Sequence, residues 1–402
     1  MGTKEGAGFM INIHLYPSPF LNESRILREA GSLSRLALFD RIDLVGIGQE
    51  GLRCVESVQD DIRIVRLARR RSGGLIGKVA GTAGWSHAVY QRYRNEQLAC
   101  INCHSVAVMP LAVMLMRSTG AKLVYDAHEL ETETNGLGGV RQYLTRQVER
   151  ALIRHADQCI FVGRAIEQWY VRHYGLRNTT VLYNCPPRRQ VKPTDYFRQT
   201  YSIAPDLPIF LYQGVIGEGR GLRMLLEAFS ALAGRAALVV MGYGALADWF
   251  AGQAARHGGI HYHPAVPPDR LLEYTAAADF GLSVIEGKSL SYEYCMPNKL
   301  FEYVMARKPV LVSPTREQSE FVRTHAIGEV AADTSPAAIQ EAVLRLLARD
   351  PAALQEALAR TADEYCWERQ EAKLEAVYDA LGFRPRPARR INPRENQHDL
   401  CN

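Results

Sequence analysis

Short apolar runs alternate with amphipathic stretches along the first 190 residues of the chain. The apolar runs have the length of strands, whereas residues 24–36 and 142–153 repeat their apolar positions at helical spacing. This alternation is typical of βαβ units, which build parallel sheets. The strands predicted in this half are residues 9–14, 42–46, 62–67, 99–103, 122–125, 158–162 and 180–183.

The same alternation starts again after a polar stretch. The sequence Asn-Cys-Pro-Pro at residues 184–187 leads into charged sequence up to Pro208, which we interpret as the linker between two domains. The predicted fold class is α/β, with two doubly wound Rossmann-like domains that face each other across a ligand-binding cleft. The strands predicted in the second half are residues 209–212, 237–241, 259–261, 280–284, 309–312 and 328–330.

Length and composition agree with a two-domain globular protein. The 402 residues suit two domains of about 150 to 200 residues each. No apolar run reaches the roughly 20 residues that a membrane-spanning helix needs, and residues 1–8 lack the order of a secretory signal. The eight cysteines are scattered without a framework, which favours reduced thiols and a cytoplasmic location.

One cysteine pattern resembles a cofactor motif. Residues 100–104 read Cys-Ile-Asn-Cys-His, which matches the attachment site of c-type haem. That chemistry needs an exported chain, and these residues continue an apolar run that predicts a buried strand. We therefore expect neither haem nor a metal there.

The positive charge is concentrated in the first half of the chain. Residues 1–190 contain 25 Lys and Arg against 17 Asp and Glu, within a total net charge of +5. Two interpretations stay open for this basic segment, a solvated face or a surface that rests on an anionic membrane. Nucleic acid is not expected as a partner, since no recognition motif accompanies the charge. The segment contains Arg63, Arg66, Arg69, Arg70, Arg71 and Lys78, interleaved with apolar residues.

Two glycine-rich turns follow predicted strands in the second half. The strand at 209–212 leads to Gly214 and then to Gly-Glu-Gly-Arg-Gly at 217–221, before a predicted helix. Glycines let backbone amides approach a phosphate, and Arg220 adds a cation suited to a diphosphate. The second turn contains Gly242 and Tyr243. Each turn alone is equally consistent with ordinary structure.

Residues 296–312 carry the strongest signal (MPNKLFEYVMARKPVLV). Pro297 and Asn298 open a predicted helix, whose unpaired amides can meet an anion. An ordinary capped helix accounts for Pro297 but not for Lys299, because the helix dipole disfavours a cation at that end unless an anion binds there. Glu302, about one turn later, has the chemistry to accept hydrogen bonds from two ribose hydroxyls.

The run PNKLFEY, followed by a KPV strand, resembles the retaining family 4 glycosyltransferases, which have the GT-B fold. Arg220-Gly221 stands where that family usually has Lys-Gly. Four further segments are similar to the family's first helix, its acceptor-side strand end, its hinge and its returning helix. They are residues 22–33, residues 124–129 with His128, Tyr183-Asn184, and Trp367-Glu368.

The resemblance implies the roles of the domains and of the site residues. Residues 1–190 would bind the acceptor, residues 191–366 the nucleotide sugar, and the helix at 367–382 would cross back to the first domain. Residues 383–402 are predicted to be disordered. The implied catalytic residues are His128, Arg220 and Lys299, with His104 and His128 on the acceptor side. The implied donor-binding residues are Gly214, Arg220, Gly242, Tyr243, Tyr294, Asn298, Lys299, Leu300 and Glu302.

Two positions depart from the family pattern. Val215 stands where an Arg often follows the first glycine. The family's two glutamates are commonly separated by seven residues, and counting back from Glu302 gives Tyr294 instead of a Glu, with Glu293 beside it. Arg220 and Lys299 would then share the diphosphate alone. No Asp-x-Asp pair occurs in the chain, so no metal cofactor is expected.

The implied reaction is retaining transfer of a sugar from a UDP- or GDP-linked donor to a hydroxyl of a glycan or lipid-linked acceptor. We expect a role in bacterial surface polysaccharide synthesis, in the cytoplasm or peripherally on the inner face of the plasma membrane. The alternatives are a nucleotide-sugar epimerase or phosphorylase of the same fold, and a non-catalytic glycosyltransferase-like subunit. Turnover without an acceptor would identify an epimerase, and failure to bind a donor would identify a non-catalytic subunit.

Overall fold

The computed structural model describes residues 9–21, 23–68 and 74–386, with only the backbone described for residues 74–80. Arg69, Arg70 and Arg71 of the basic segment lie outside the described residues, as do residues 387–402 of the tail predicted at 383–402. None of the described helices combines the length and the apolar character that a membrane span requires. The seven cysteines in the described part are unpaired.

The first domain is built on an eight-stranded sheet, in the order β3-β4-β2-β1-β5-β6-β7-β8. All neighbouring strands run parallel except β3, which pairs antiparallel with β4. The strands are β1 Ile11–Leu15, β2 Arg41–Ile47, β3 Val55–Ser57, β4 Ile62–Leu67, β5 Leu98–Cys103, β6 Lys122–Ala127, β7 Gln158–Phe161 and β8 Thr179–Val181. The helices are α1 Ser24–Arg35, α2 Gly74–Tyr93, α3 Met109–Thr119, α4 Gly139–Leu152 and α5 Arg164–Tyr174.

The second domain has a six-stranded parallel sheet, in the order β11-β10-β9-β12-β13-β14. Its strands are β9 Ile209–Val215, β10 Ala237–Tyr243, β11 Ile260–Pro264, β12 Phe280–Ser283, β13 Val310–Val312 and β14 Gly328–Val330. Its helices are α6 Tyr196–Tyr201, α7 Leu222–Ala231, α8 Ala247–Ala254, α9 Leu271–Thr275, α10 Leu290–Glu293, α11 Asn298–Met305, α12 Arg316–His325, α13 Pro336–Leu347 and α14 Pro351–Glu364.

The last helix, α15 (Trp367–Ala380), packs on the first domain rather than on the second. Its Trp367, Leu374 and Val377 join the apolar cluster that contains Ile26 of α1. Trp367 also donates its indole N–H to Ser32 Oγ at 2.9 Å. The chain therefore returns to the first domain after completing the second.

The predicted strands are all present, and three features differ from the expectations. Strand β3 was not predicted, since its three residues at the sheet edge carry no apolar run. The predicted linker contains helix α6, whose Phe197 is buried in the second core. Strands β9 and β10 continue through the predicted turns, so Gly214 and Gly242 pair with each other inside the sheet.

The basic segment is only partly a surface feature. Arg63 is buried and its guanidinium binds Asp43, with 2.6 Å between Arg63 Nε and Asp43 Oδ1. Arg66 is buried as well and donates to Pro19 O and to Glu56. These two arginines stabilise strand β4 from within, so they cannot belong to a solvated or membrane-facing surface.

Candidate active site between the two sheets

A cleft of about 660 Å³ lies where strand ends of the two sheets face each other. In both sheets the cleft adjoins the place where the strand order reverses, beside β1 and β5 in one sheet and beside β9 and β12 in the other. Such places bind ligands in doubly wound folds. The predicted site residues that line the cleft are His128, Gly214, Arg220, Gly242, Tyr243, Asn298, Lys299 and Glu302.

The floor of the cleft depends on two glycines. A Cβ on Gly242 would lie 1.8 Å from Gly214 O, so no larger residue fits there without moving the strands apart. Gly214 has a φ of +120°, and its Cβ would point at the Lys299 ammonium 3.7 Å away. The glycines thus keep open the space between two strand ends and the cation above them.

The first amides of helix α11 are available to a ligand. The helix begins at Asn298, and Pro297 at its N-cap provides no side-chain capping hydrogen bond. Within the described parts of the chain, the N–H groups of Asn298 and Lys299 donate to no acceptor, whereas Leu300 N–H binds Pro297 O. A helix start with unpaired amides and a positive dipole end favours an anion.

Two cations face the cleft with aromatic rings beside them. Lys299 Nζ lies 3.5 Å from the centre of the Tyr212 ring, and the Arg220 guanidinium lies 4.9 Å from that of Tyr292. Neither forms an ion pair with any residue in the described ranges. Burial, together with the charge of Arg220, holds the pKa of Lys299 well below its usual range. A bound anion would remove this penalty, since it would supply the missing opposite charge.

Glu302 is held by its neighbours on the same wall. Gln213 Nε2 donates to Glu302 Oε2 at 2.6 Å, and Thr275 Oγ1 donates to Gln213 Oε1 at 2.8 Å. Burial raises the pKa of Glu302, while the Gln213 hydrogen bond and Lys299 oppose that shift. The carboxylate is therefore oriented before any ligand binds.

Three predicted site residues do not line the cleft. Leu300 is fully buried in the core of the second domain. Tyr294 packs against the core of the first domain and under the guanidinium of Arg316. His104 is fully buried behind His128 and reaches the cleft only through it. Tyr243, by contrast, stands exposed at the rim.

A polar cluster supports His128 from the first domain. Asp126 Oδ2 lies 2.9 Å from His104 Nδ1 and 3.1 Å from His128 Nε2. Behind them, His14 Nδ1 lies 2.8 Å from His104 Nε2. Burial lowers the pKa of His104 to about 4 and that of His14 well below its usual range, so both rings are neutral at pH 7.

The ionisation of Asp126 fixes the tautomers of these rings. Burial alone would raise its pKa, but Arg25 and the hydrogen bonds from the histidines hold that pKa well below its usual range. As a carboxylate it accepts from His104 Nδ1–H, which leaves His104 Nε2 to accept from His14 Nδ1–H. His14 Nε2, which is buried and has no hydrogen-bond partner among the described residues, is then an unprotonated nitrogen. His128 in turn donates Nε2–H to Asp126, and none of the described residues pairs with its Nδ1.

The sequence matches glycosyltransferase families in both domains. Residues 25–186 match a family model described as a glycosyl transferase 4-like domain, and residues 208–349 match the model of the glycosyl transferases group 1. Both halves of the chain are glycosyltransferase domains. The resemblance to family 4 is thereby confirmed at the level of the two domains. The first match lies within the first domain and the second match within the second domain.

Solved structures show the same overall fold. Sucrose-phosphate synthase from Thermosynechococcus elongatus has 15% identity and a TM-score of 0.77, over 93% of this chain and 99% of that one. HepE from Anabaena, in complex with UDP-glucose, has 13% identity and a TM-score of 0.71, over 93% and 100%. WaaG, a glycosyltransferase involved in lipopolysaccharide biosynthesis, has 16% identity and a TM-score of 0.65, over 92% and 99%. No curated protein matches the chain significantly. The glycosyltransferase thus has the GT-B fold.

Two groups in the described part of this glycosyltransferase have ligand atoms close enough to hold a metal ion, His14 with Glu29 and His104, and His104 with Asp126 and His128. The second group adjoins the cleft. The charge balance opposes that use. Arg25 binds both oxygens of Asp126, with 2.7 Å between Arg25 Nη2 and Asp126 Oδ1. A guanidinium already neutralises the only carboxylate of the group, so the cluster fits hydrogen bonding better than cation binding.

Several residues that shape the site of the glycosyltransferase were not predicted from sequence. Gln213 gave no signal, because a glutamine at the end of an apolar run looks like an ordinary strand terminus. His14 does carry a signal, since it stands at a strand end like His104. Glu317 links the domains, and its carboxylate accepts from the N–H groups of Arg164 and Ala165 at 2.8 and 2.7 Å.

Proposed function

We propose that this glycosyltransferase moves a sugar from a nucleoside diphosphate sugar, UDP- or GDP-linked, to a hydroxyl of a glycan or lipid-linked acceptor, with retention at the anomeric carbon. One observation carries the assignment of the donor site. Arg220 and Lys299 face the cleft without a carboxylate partner among the described residues, beside the two amides at the start of helix α11 that are unpaired there. A diphosphate has the charge and the acceptors that complete this arrangement.

Each side of the donor has a proposed partner. The diphosphate binds Arg220, Lys299 and the amides of Asn298 and Lys299, over the floor made by Gly214 and Gly242. The ribose hydroxyls bind Glu302, whose second oxygen is fixed by Gln213. No metal ion is needed in this scheme, because the two cations and the helix dipole balance the diphosphate charge.

The proposed chemistry takes place on one face of the sugar. The bond from the anomeric carbon to the phosphate oxygen breaks, and the acceptor oxygen bonds to the same face of that carbon. The acceptor proton passes to the departing phosphate oxygen. Carboxylates that line the described cleft are Glu129 and Glu302, and Glu129 accepts from Ser291 Oγ at 3.3 Å. Neither stands free as a nucleophile for a two-step route.

His128 has a proposed role opposite the donor. Its Nε2–H is committed to Asp126, so Nδ1 is the nitrogen that accepts a hydrogen bond from a hydroxyl of the sugar or the acceptor. Tyr16 packs on the ring, with 5.6 Å between the ring centres, and limits its rotation. The ring is thus oriented by two neighbours before substrate binds.

The wider setting follows from the similar proteins. The HepE structure contains UDP-glucose, which supports a nucleotide sugar as the donor class. WaaG is involved in lipopolysaccharide biosynthesis, which supports bacterial surface polysaccharide synthesis as the process. A peripheral position on the inner face of the plasma membrane would bring the cleft to a lipid-linked acceptor.

The deciding experiment measures nucleotide release from a panel of UDP-, GDP- and ADP-sugars, with and without a mixture of glycan and lipid-linked acceptors, in buffer containing EDTA. We expect release that depends on one donor and on the acceptor, and NMR should show the anomeric configuration retained. Turnover without acceptor would favour the epimerase. Absence of donor binding by calorimetry would favour a non-catalytic subunit, and a requirement for added metal would overturn the metal-free scheme.

A further inference from the structure

Helix α4 turns its apolar face outward. Val140, Tyr143, Leu144 and Val148 are 76%, 60%, 56% and 37% exposed, although their spacing places them on one stripe of the helix. These four make up a large share of the exposed large apolar residues in the described chain. An amphipathic helix on a globular domain normally buries this stripe, so α4 lacks a partner on its apolar side.

The opposite face of α4 is polar and points into the domain. Glu149, on the far side of the helix from Val140, is fully buried. Its Oε1 accepts from the hydroxyls of Tyr125 and Tyr170 at 2.9 and 2.6 Å, and its Oε2 accepts from Tyr174 at 2.9 Å. Burial raises the pKa of this carboxyl. Three tyrosines therefore fix which way the helix faces, and the exposed apolar stripe is a built feature of the fold.

Arginines border the apolar stripe on both sides. At helical spacing Arg141 lies next to Val148, and Arg150 and Arg146 lie next to Tyr143. Arg141 and Arg150 form no ion pair with any residue that the structure describes. Arg146 binds Glu133, with 2.7 Å between Arg146 Nε and Glu133 Oε1 and 2.6 Å between Arg146 Nη2 and Glu133 Oε2. The charged residues exposed on α4 are all positive, since its one acidic residue is Glu149.

Helix α4 is tied to a segment that reaches the cleft. Glu133, in the segment just before α4, holds Arg146 and Gln142 of the helix with its carboxylate. Its backbone oxygen accepts from the N–H of Ser291, which lines the cleft from the other domain. Helix α3 packs beside α4 and exposes Met114 and Arg117.

We propose that the stripe formed by Val140, Tyr143, Leu144 and Val148, with Arg141, Arg146 and Arg150, docks the protein on an anionic lipid bilayer. The apolar side chains enter the boundary between headgroups and acyl chains, and the arginines bind the lipid phosphates. The positive charge of the arginines favours an anionic bilayer over a second copy of the chain, because two copies of the same stripe would bring like charges together. The docking places the cleft next to the surface where a lipid-linked acceptor would lie. The presence of that acceptor rests on the proposed function, whereas the docking itself does not rest on it.

The test measures co-sedimentation of the full chain with vesicles of phosphatidylcholine, with and without about 25% phosphatidylglycerol. We expect binding to the anionic vesicles that weakens as salt is raised. Tyr143→Ser/Leu144→Ser should reduce the partition by about tenfold, since it removes two inserted side chains. Arg141→Glu/Arg150→Glu should reduce it by about tenfold or more on the anionic vesicles. Val58→Ser/Val171→Ser, which changes two exposed apolar residues outside α4, is the matched control and should bind like the wild type.

Donor turnover in vesicle-free solution separates this inference from the proposed function. Both α4 variants should keep their donor turnover and their melting temperature. Wild-type binding in the Tyr143/Leu144 variant would overturn the proposal, even if the enzyme transfers sugar as proposed. A concentration-dependent dimer in sedimentation velocity, lost in the same variant and without vesicle binding, would assign the stripe to a second copy instead. If the chain docks but transfers no sugar, only the proposed function fails.

Discussion

Gln213 donates its side-chain amide to Glu302, with 2.6 Å between Gln213 Nε2 and Glu302 Oε2. The amide is held in this orientation, because its oxygen accepts from Thr275. Gln213 directly precedes Gly214 on β9. The strand that leaves space for the diphosphate therefore also fixes one oxygen of the carboxylate that we assign to the ribose, and it couples the two halves of the donor site.

Replacing Glu302 with Ala should lower kcat/KM by about 100-fold. The reason is that hydrogen bonds to a charged group contribute about 1.5–3 kcal/mol each. Steady-state kinetics with varied donor measures the loss, and circular dichroism checks that the fold is intact. Gln213→Leu should show a smaller loss, confined mainly to the donor KM, since it frees the carboxylate without removing it. Near-normal turnover in Glu302→Ala would contradict the donor-site assignment.

Lys299→Met should make the ligand-free protein more stable while abolishing nucleotide binding. The pKa of Lys299 is lowered by burial, so at neutral pH the unfolded chain holds its proton more tightly than the folded chain does. Burying this group therefore destabilises the folded protein, and removing it should raise the free energy of unfolding by about 1 kcal/mol or more. Thermal melts with and without UDP measure both effects.

The control for this variant is Lys308→Met, at the other end of the same segment. Burial lowers the pKa of Lys308 too, but it lies outside the cleft lining. It should keep the UDP-dependent rise in melting temperature. If Lys299→Met retains that rise, Lys299 does not meet the diphosphate.

The sequence predicted the sheets well because their strands are buried on both faces. Strands at 62–67 and 328–330 have the observed bounds, and β9 and β10 were cut short only because glycine ordinarily ends a strand. Strand β3 was missed for lack of an apolar run. The pattern also predicted α4 as an amphipathic helix, but periodicity cannot say which side of a helix is covered. That depends on Glu149 meeting three tyrosines from other elements.

Within the site, residues on one continuous segment were predictable and residues brought together by the fold were not. Pro297, Asn298, Lys299 and Glu302 share one helix start, where dipole and charge could be judged from spacing alone. The contacts of Gln213 and Glu317 join segments about ninety and one hundred and fifty residues apart. Nothing local in the sequence marks either residue.

Replacing Glu317 with Ala should destabilise the contact between the domains. Its carboxylate caps helix α5 from the other domain and accepts from the Tyr183 hydroxyl at 3.2 Å. Loss of a helix cap costs about 0.5–2 kcal/mol, and the two amides would be left unsatisfied. Urea unfolding of Glu317→Ala beside Glu320→Gln, an exposed change on the same helix, measures the difference. Equal midpoints for the two variants would show that the cap does not stabilise the contact between the domains.

The neutral histidines behind His128 should make the protein sensitive to acid. Burial lowers the pKa of His104 from 6.5 to about 4, so between these values the unfolded chain binds a proton that the folded chain does not. Titration of His104 therefore leaves the free energy of unfolding unchanged above pH 6.5 and lowers it as the pH drops towards 4. Between pH 7 and pH 5, His104 alone should lower the free energy of unfolding by about 2 kcal/mol. The loss is about 1.36 kcal/mol for each pH unit below the ordinary pKa.

His104→Gln keeps an N–H donor for Asp126 but cannot titrate. Guanidinium unfolding of the wild type and this variant at pH 7 and pH 5 gives four free energies of unfolding. The drop between the two pH values should be smaller in the variant by about 2 kcal/mol, because the remaining drop comes from other groups such as His14. His173→Gln is the control, since that histidine lies on α5 outside the cluster, where its ring hydrogen-bonds the Trp169 carbonyl and stacks on the Trp169 ring. An equal drop in the wild type and His104→Gln would mean that His104 is protonated in the folded protein. Its Nε2–H would then donate to His14 Nδ1, and the tautomer assigned to His14 would have to be reversed.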